Sequence, residues 1–345
     1  MIEAPLVSVI ILNYNGAKWM LRCLESLKAQ TIFSRTEVII ADNASSDGSD
    51  KLSEQLIEGW TNASFLQNGA NIGFAAGCNR AVERATGKHL FFLNPDVWLE
   101  PDCLQQLVER TEKSGAGAAG ALVLDYDDNS FQSFGGDGFD IFGLGVVTTI
   151  ERAGNRLFTP VGFYFIGADL FRKLGGYDEK FFLYAEDTDL SWRVWLSGHW
   201  IATAPLARIH HRGGASVNPA GGTKIVEMRT SESKRYHANK NNLLTLLKNC
   251  RHILLFLVLT NVFLLAVEAI LGFLIARRLS FLRMTFFNVL RDCWTLRHHI
   301  RAERKKLAGL RKHSDLWMLR FFTWRLSHWH DFVRVFKLGL PRVDK

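Results

Sequence analysis

Three short apolar runs in the first hundred residues end in the same way, and this repeat restricts the fold more than any other feature of the chain. VSVIIL (7–12) runs into Asn13-Tyr14-Asn15, EVIIA (37–41) into Asp42-Asn43-Ala44-Ser45-Ser46-Asp47, and HLFFL (89–93) into Asn94-Pro95-Asp96. All three are of strand length and rich in β-branched or aromatic residues. Stretches with helical spacing of apolar residues separate them, around Trp19–Gln30 and Phe74–Thr86, with ASFLQN (63–68) as a further short strand. Another helix from about Asp102 leads to the strand GAGAAGALVLD. Strands alternating with helices predict an α/β fold with a parallel, doubly wound sheet. Ligands of such sheets bind beyond the carboxyl ends of the strands, so the polar groups ending these runs are expected at one rim. Residues 125–160, rich in Gly, Asp and Phe with weak periodicity, read as a long loop or hairpin over that rim.

A chain of 345 residues exceeds one average domain. Its charge is segregated: residues 221–345 carry 24 Lys+Arg against 8 Asp+Glu, whereas residues 1–220 carry 18 against 26. The basic part is expected to meet an anionic surface, lipid headgroups or nucleic acid, and no nucleic-acid-binding motif accompanies the charge, which favours lipid. Ile253–Ala276 is 24 largely apolar residues interrupted by Thr260, Asn261, Glu268 and Gly272. As a helix it would extend roughly 36 Å, enough to cross a bilayer. Arg251 precedes it and Arg277 and Arg278 follow, so the positive-inside preference disfavours a single crossing. Residues 281–300 and 315–339 mix Trp and Phe with Arg, Lys and His at helical spacing, which suits helices lying in a lipid interface or, for 315–339 taken alone, an ordinary amphipathic helix packed on the core. The five cysteines form no C-x-x-C pair, so neither zinc nor a disulfide framework is indicated and a reducing compartment is expected. The N-terminus lacks a basic n-region, and no cleavable signal is expected.

Asp96 alone favours a cap or turn residue over a metal ligand, and Ser45-Ser46-Asp47 reads equally as a helix cap. The chain adds YAEDTDLSWR (184–193) and IHHRGGAS (209–216). Together, and in this order, these motifs resemble the family 2 glycosyltransferases, inverting enzymes with the nucleotide-sugar-binding GT-A fold. The likeness is greatest to the rhamnosyltransferase-like branch acting on polyprenyl-linked glycans, and it covers roughly residues 6–245. It implies a mixed doubly wound sheet flanked by helices over 1–245 and a helical, basic, membrane-associating region over 246–345.

The resemblance also implies roles. Asn13, Tyr14 and Asn15 would lie near the nucleotide, and Asp42, with Asn43 beside it, would accept a hydrogen bond from the base. Asn71, Gly73 and Asn79 of NIGFAAGCN would border ribose and diphosphate, and Gly167 would face the donor sugar. The family's Asp-x-Asp is Asn94-Pro95-Asp96 here, which leaves Asp96 as the ligand and Asn94 as a neutral ligand or ribose contact. His211 matches the family's metal-associated histidine, with His210 as its neighbour. The implied cofactor is a divalent cation, Mg²⁺ or Mn²⁺. Asp187 would be the general base with Glu186 adjacent, and Trp192, Arg193 and Lys240 would contact acceptor or phosphate. The implied partners are a dTDP-, UDP- or GDP-sugar, a polyprenyl-diphosphate-linked acceptor and membrane lipid at the cytoplasmic face. The alternatives are transfer of another hexose, or a catalytically silent membrane-bound scaffold.

Overall fold

A computed structural model of the chain describes residues 4–148, 155–160, 162–212, 229–327 and 342–344. The apolar runs form parallel neighbours: β1 (Val7–Asn13), β2 (Thr36–Asp42), β3 (Ala63–Gln67) and β4 (His89–Leu93), in the spatial order β3-β2-β1-β4. Their helices are α1 (Ala17–Lys28), α2 (Ser49–Leu56) and α3 (Phe74–Val82). Beyond β4 come β5 (Val97–Leu99), α4 (Cys103–Ser114), β6 (Ala118–Asp125), β7 (Phe131–Ser133) and the hairpin of β8 (Gly136–Phe139) with β9 (Gly145–Val147). Then follow β10 (Phe165–Gly167), α5 (Ala168–Lys173), α6 (Glu186–Leu196) and β11 (Ile201–His211). The main sheet has nine strands, ordered β3-β2-β1-β4-β10-β6-β11-β5 with β7 beside β6. β10, β5 and β7 run antiparallel to their neighbours, so the sheet is mixed where strand–helix alternation alone predicts all-parallel.

Strand period decides the layers, because successive side chains leave opposite faces of a strand. Val7, Val9 and Ile11 join one core with α1 and α4, through Met20, Cys23, Leu104 and Leu107. Ile10 and Leu12 face the other core, with Ala75, Cys78 and Ala81 of α3 and Trp192 and Trp195 of α6. Both faces of β1 are therefore covered, and all seven of its residues are buried.

The C-terminal half continues as β12 (Arg229–Ser231), α7 (Glu232–Asn249), α8 (Phe256–Ala276), α9 (Leu279–Leu282), a π-helical turn (Arg283–Asn288), α10 (Val289–Thr295), α11 (Arg297–Leu310) and α12 (Asp315–Met318). α7 runs unbroken through residues 245 and 246, and Leu246, Leu257, Leu307 and Met318 belong to the same core as Trp192. A buried ion network ties the two parts further. Lys248 Nζ lies 2.6 Å from Asp178 and 2.9 Å from Asp189, Arg193 is 2.8 Å from Asp189, and His299 is 2.8 Å from Asp178. Burial alone would raise the Asp178 carboxyl, but the His299 hydrogen bond and the Lys248 charge outweigh it and hold it well below the usual range. Lys248→Met leaves two buried carboxylates without that cation and should destabilise the protein by about 3–5 kcal/mol, read as a lower urea midpoint.

Among the described residues one helix, His252–Ala276, is long and apolar enough to cross a membrane. Along one side Leu257, Asn261, Leu265, Ala269 and Gly272 are buried. Thr260 and Asn261 donate to the carbonyls of Ile141 and Phe142 in the β8–β9 connection (2.5 and 2.9 Å). The sequence pattern over 315–339 predicts one amphipathic helix, and the described part, 315–327, does not form it. α12 has four residues and gives way to a 3-10 turn, Leu319–Phe321. Two of its aromatics pack against the core instead, the rings of Trp317 and Phe321 sitting 5.9 and 4.5 Å from that of Trp195, and Met318 is fully buried, whereas Trp324 stays exposed. Residues 328–339 lie outside the described residues.

Candidate active site

Because β1, β2 and β4 are parallel and adjacent, Asn13, Asp42 and Asn94 emerge at one rim. Two clefts meet there. The first, of ≈640 Å³, is lined by Tyr14, Asn15, Trp19, Asn43, Asn71 and Asp96, together with Gly73 and Asn94. The second, of ≈500 Å³, is lined by Gly162, Glu186, Asp187, Arg235 and Asn239 and by α8 residues. Phe74, Asn94, Leu183, Tyr184 and Lys234 line both and form the shared wall.

Beneath the first cleft the rim residues lock one another. Asp42 has no exposed surface and accepts hydrogen bonds from Asn13 (2.7 Å), from the Ser45 hydroxyl (2.6 Å) and backbone N–H (2.9 Å), and from Gln67 (3.1 Å). Asn13 also donates to Ser49 (2.8 Å). These two, expected at the nucleotide, form the floor under it and are not among the cleft-lining side chains. Asn43 donates to the carbonyl of Gly73 (3.1 Å), fixing the 71–73 turn. Gly73 has a left-handed φ of 87°, and a Cβ there would come within 2.6 Å of Phe182, so glycine is required for contact with the shared wall. Gly16, absent from the expected set, has no room for a Cβ either: it would lie 2.5 Å from Pro95 and 2.4 Å from Asn13 Oδ1.

Asp96 and His211 are far apart in sequence and meet through strand pairing. β5 runs antiparallel to β11, which sets His211 opposite Val97, and the Arg212 N–H donates to the Asp96 carbonyl (3.0 Å). Asp96 Oδ2 lies 3.6 Å from His211 Nε2, with the side chains 17% and 24% exposed. Asp96 Oδ1 is buried and has no hydrogen-bond partner. An orphaned carboxylate oxygen beside an imidazole, at a cleft that also presents the amides of Asn15, Asn43, Asn71 and Asn94, fits a divalent cation that takes its remaining oxygens from phosphate and water. Among the described residues no group of three or more His, Cys, Asp or Glu could hold a metal, so substrate oxygens would complete such a shell. His210 points to the other side of β11, where it stacks on Trp98 at 3.5 Å.

Glu186 and Asp187 open α6 after an unusual turn in which Phe182, Tyr184 and Ala185 all have positive φ (63°, 73° and 62°). Such backbone costs on the order of 1–3 kcal/mol per residue and must be held from outside. Asn241 Nδ2 holds it by donating to the carbonyls of Phe181, Leu183 and Tyr184 (2.8, 2.7 and 2.8 Å), and Lys240 Nζ donates to that of Lys180 (2.8 Å). Asp187 accepts from the Gly162 N–H (3.1 Å) and the Thr188 N–H (2.6 Å), whereas Glu186 Oε2 is buried without a partner. Burial, then the neighbouring Asp187 charge, pushes Glu186 up to about 8; burial also raises Asp187 against the pull of its donors. Burial therefore favours retention of a proton by the pair, most strongly at Glu186, whose buried oxygen has no donor, and least at Asp187, whose donors oppose it.

Several expected residues lie elsewhere. Gly167 pairs with His89 at the start of β4, the end opposite Asp96. β10 is antiparallel, so the segment enters the site at Gly162 rather than at its later glycine. Asn79 is occupied with Tyr177 (2.8 and 2.9 Å) away from both clefts. Arg193 is bound in the ion network, and Trp192 is fully buried with its ring 5.0 Å from Phe139 and 5.4 Å from Phe158. Trp192→Ala should cost about 3–5 kcal/mol of stability, measured by denaturant titration, whereas an acceptor contact would leave stability unchanged. Lys240 braces the turn; on α7 the cations facing the second cleft are Lys234 and Arg235. Their helical phase, shared with Ala238, Asn239 and Asn242, is the signal that would have separated them from Lys240.

Residues 8–175 match the family described as Glycosyl transferase family 2. The chain is 33% identical to the putative glycosyltransferase EpsH of Bacillus subtilis over 31% of this chain and 30% of that protein. It is 27% identical to N-acetylglucosaminyl-diphospho-decaprenol L-rhamnosyltransferase of Mycobacterium tuberculosis over 59% of this chain and 75% of that one. Among solved structures, S. aureus TarS 1-349 in complex with UDP-GlcNAc superposes with a TM-score of 0.55 at 17% identity, covering 88% of this chain and 90% of that one. A mannosyltransferase from Pyrobaculum calidifontis in complex with GDP-Man and Mn2+ gives 0.51 at 16%, covering 89% and 85%. Residues 8–175 thus match a family 2 glycosyltransferase domain, and the fold is that of these solved glycosyltransferases.

Proposed function

We propose that the protein is a cation-dependent, inverting glycosyltransferase that moves L-rhamnose from dTDP-β-L-rhamnose to a hydroxyl of a lipid-linked glycan at the cytoplasmic membrane face. The observation that carries this reading is the meeting of the two clefts at Asn94, Tyr184 and Lys234, with Asp96, 3.6 Å from His211, on one side and Glu186 and Asp187 on the other. The first cleft takes the nucleotide sugar: Tyr14 and Trp19 offer aromatic faces to the base, and Asn15, Asn43, Asn71 and Asn94 offer polar groups to ribose and diphosphate. Asp96 and His211 would hold the cation, which when bound supplies Lewis-acid charge for the departing diphosphate. From the second cleft Asp187 takes the proton of the acceptor hydroxyl as its oxygen bonds to the anomeric carbon and the carbon–diphosphate bond breaks. One displacement inverts the centre and yields an α-L-rhamnoside. Glu186, neutral, keeps a second negative charge away from Asp187. Support for rhamnose and a polyprenyl acceptor comes from the mycobacterial relative's name. The test is purified full-length protein with dTDP-rhamnose, UDP-sugars and GDP-sugars and a polyprenyl-diphosphate-linked acceptor, with and without EDTA. Diphosphonucleotide release from dTDP-rhamnose, abolished by EDTA, is the expected result; equal turnover with EDTA, or with another donor alone, overturns the corresponding part.

A further inference from the structure

The second cleft has a wall that the transfer chemistry does not require. Asn261, Leu264, Leu265 and Glu268 of α8 line it together with Leu144 and Val147 of the β8–β9 hairpin, so an apolar wall begins where the catalytic pair ends. On the far side of α8, Leu259 (74% exposed), Phe263 (66%), Ile270 (53%) and Leu274 (61%) project outward, away from the described residues that pack against the helix. Leu271, also exposed, falls on the flank between this outer face and the cleft, as its helical phase beside Leu264 and Glu268 requires. Exposed apolar side chains continue along the following segment at Leu279, Phe287 and Trp294. Arg277 and Arg283 are exposed beside them. α8 carries one carboxylate, Glu268, and it is turned to the cleft and not to the outer face, as expected of a helix resting in hydrocarbon.

We propose that α8 lies in the plane of an anionic lipid surface, and that the second cleft receives from that surface the diphosphate end of a prenyl lipid, with Arg235 and Lys234 facing the diphosphate. The inference rests on the glycosyl-transfer reading and deepens it by assigning the acceptor's lipid-diphosphate portion a place. Orientation follows from the packing. The buried side of α8 is held along its length by α7, α9 and the 141–142 connection, so a helix standing across the bilayer would carry those polar elements into it. Lying flat, the helix presents only its outer face to lipid, and the exposed arginines meet phosphate. The acceptor then moves sideways along Leu271 and Leu264 until its diphosphate reaches Arg235, with the sugar beyond it at Asp187.

Two measurements on the full chain test this. In flotation, wild type should rise with vesicles of phosphatidylcholine and phosphatidylglycerol, and Leu259→Glu/Phe263→Glu should remain below them while binding nucleotide as wild type does. The second follows farnesyl diphosphate and farnesol by tryptophan fluorescence in EDTA, so that no cation can recruit diphosphate to the donor cleft. Arg235→Ala should weaken farnesyl diphosphate roughly tenfold or more and leave farnesol unchanged, with Arg235→Lys recovering part of the loss. Equal flotation of the double variant, or equal farnesyl diphosphate binding by wild type and Arg235→Ala at an unchanged melting temperature, overturns the proposal. Sugar transfer that persists in that case leaves the transferase reading standing; lipid-diphosphate binding without transfer from any donor does the reverse.

Discussion

Asp187→Asn lowers kcat by on the order of 10²–10⁴-fold while nucleotide binding stays within a factor of a few. The amide keeps the shape and can still accept the Gly162 N–H, so the α6 start stays in place, but it cannot take a proton. A scaffold or a substrate-positioning role would instead give unchanged turnover or a KM effect alone, and wild-type kcat in Asp187→Asn removes this residue as the base. Glu186 gives the matching pH test. Its folded pKa, about 8, lies above the ordinary value of 4.5, so between these values the folded state keeps a proton that the unfolded chain releases. Folding stability from this group is therefore lost as pH rises from about 4.5 towards 8. Glu186→Gln should flatten that fall: its melting temperature gains on wild type between pH 5 and pH 8. A constant difference across that range would show that Glu186 ionises normally.

Asp96→Ala is expected to abolish transfer, a loss on the order of 10³-fold or more, and to remove the tightening of nucleotide diphosphate binding by Mn²⁺ or Mg²⁺. The argument is geometric. Asp96 Oδ1 is buried with no donor, and its carboxylate stands beside His211 in the cleft. A buried acceptor left unpaired is destabilising, so the fold should tolerate the alanine or gain slightly from it. Nucleotide affinity measured by calorimetry with and without cation separates this from a folding defect. Asp96→Ala that retains cation-enhanced binding would reassign the site. His211→Ala should weaken the cation effect less, since a neutral ligand contributes less charge.

The sheet was legible because its signals are local. A run such as VSVIIL buries on both faces whatever surrounds it, and a polar residue at its end lies at the rim of any parallel sheet. Within 125–160, which reads as a long loop or hairpin from its glycines and lost periodicity, the structure forms a hairpin at 136–147. The single helix expected over 315–339 does not form in its described part, 315–327, and periodicity tells only that aromatics share a side, not whether lipid or Trp195 covers them. Gly167 and Lys240 were misplaced by one strand direction and one helical phase, neither of which a motif records.

By itself the sequence determined the strand–helix order, the rim of strand-end acids and amides, the acidic pair at 186–187 and the apolar helix with its basic ends. Tertiary structure alone decided which of these meet. Antiparallel pairing of β5 with β11 brings His211 to Asp96, Asn241 holds a strained turn that seats Glu186 and Asp187 where two clefts join, and packing of one side of α8 leaves the other exposed. The physical reason is range: backbone propensity and side-chain period act over a few residues, whereas strand direction, register and burial are set by contacts between segments far apart in the chain, from 58 residues for Asn241 and Leu183 to 119 for α8 and the 141–142 connection.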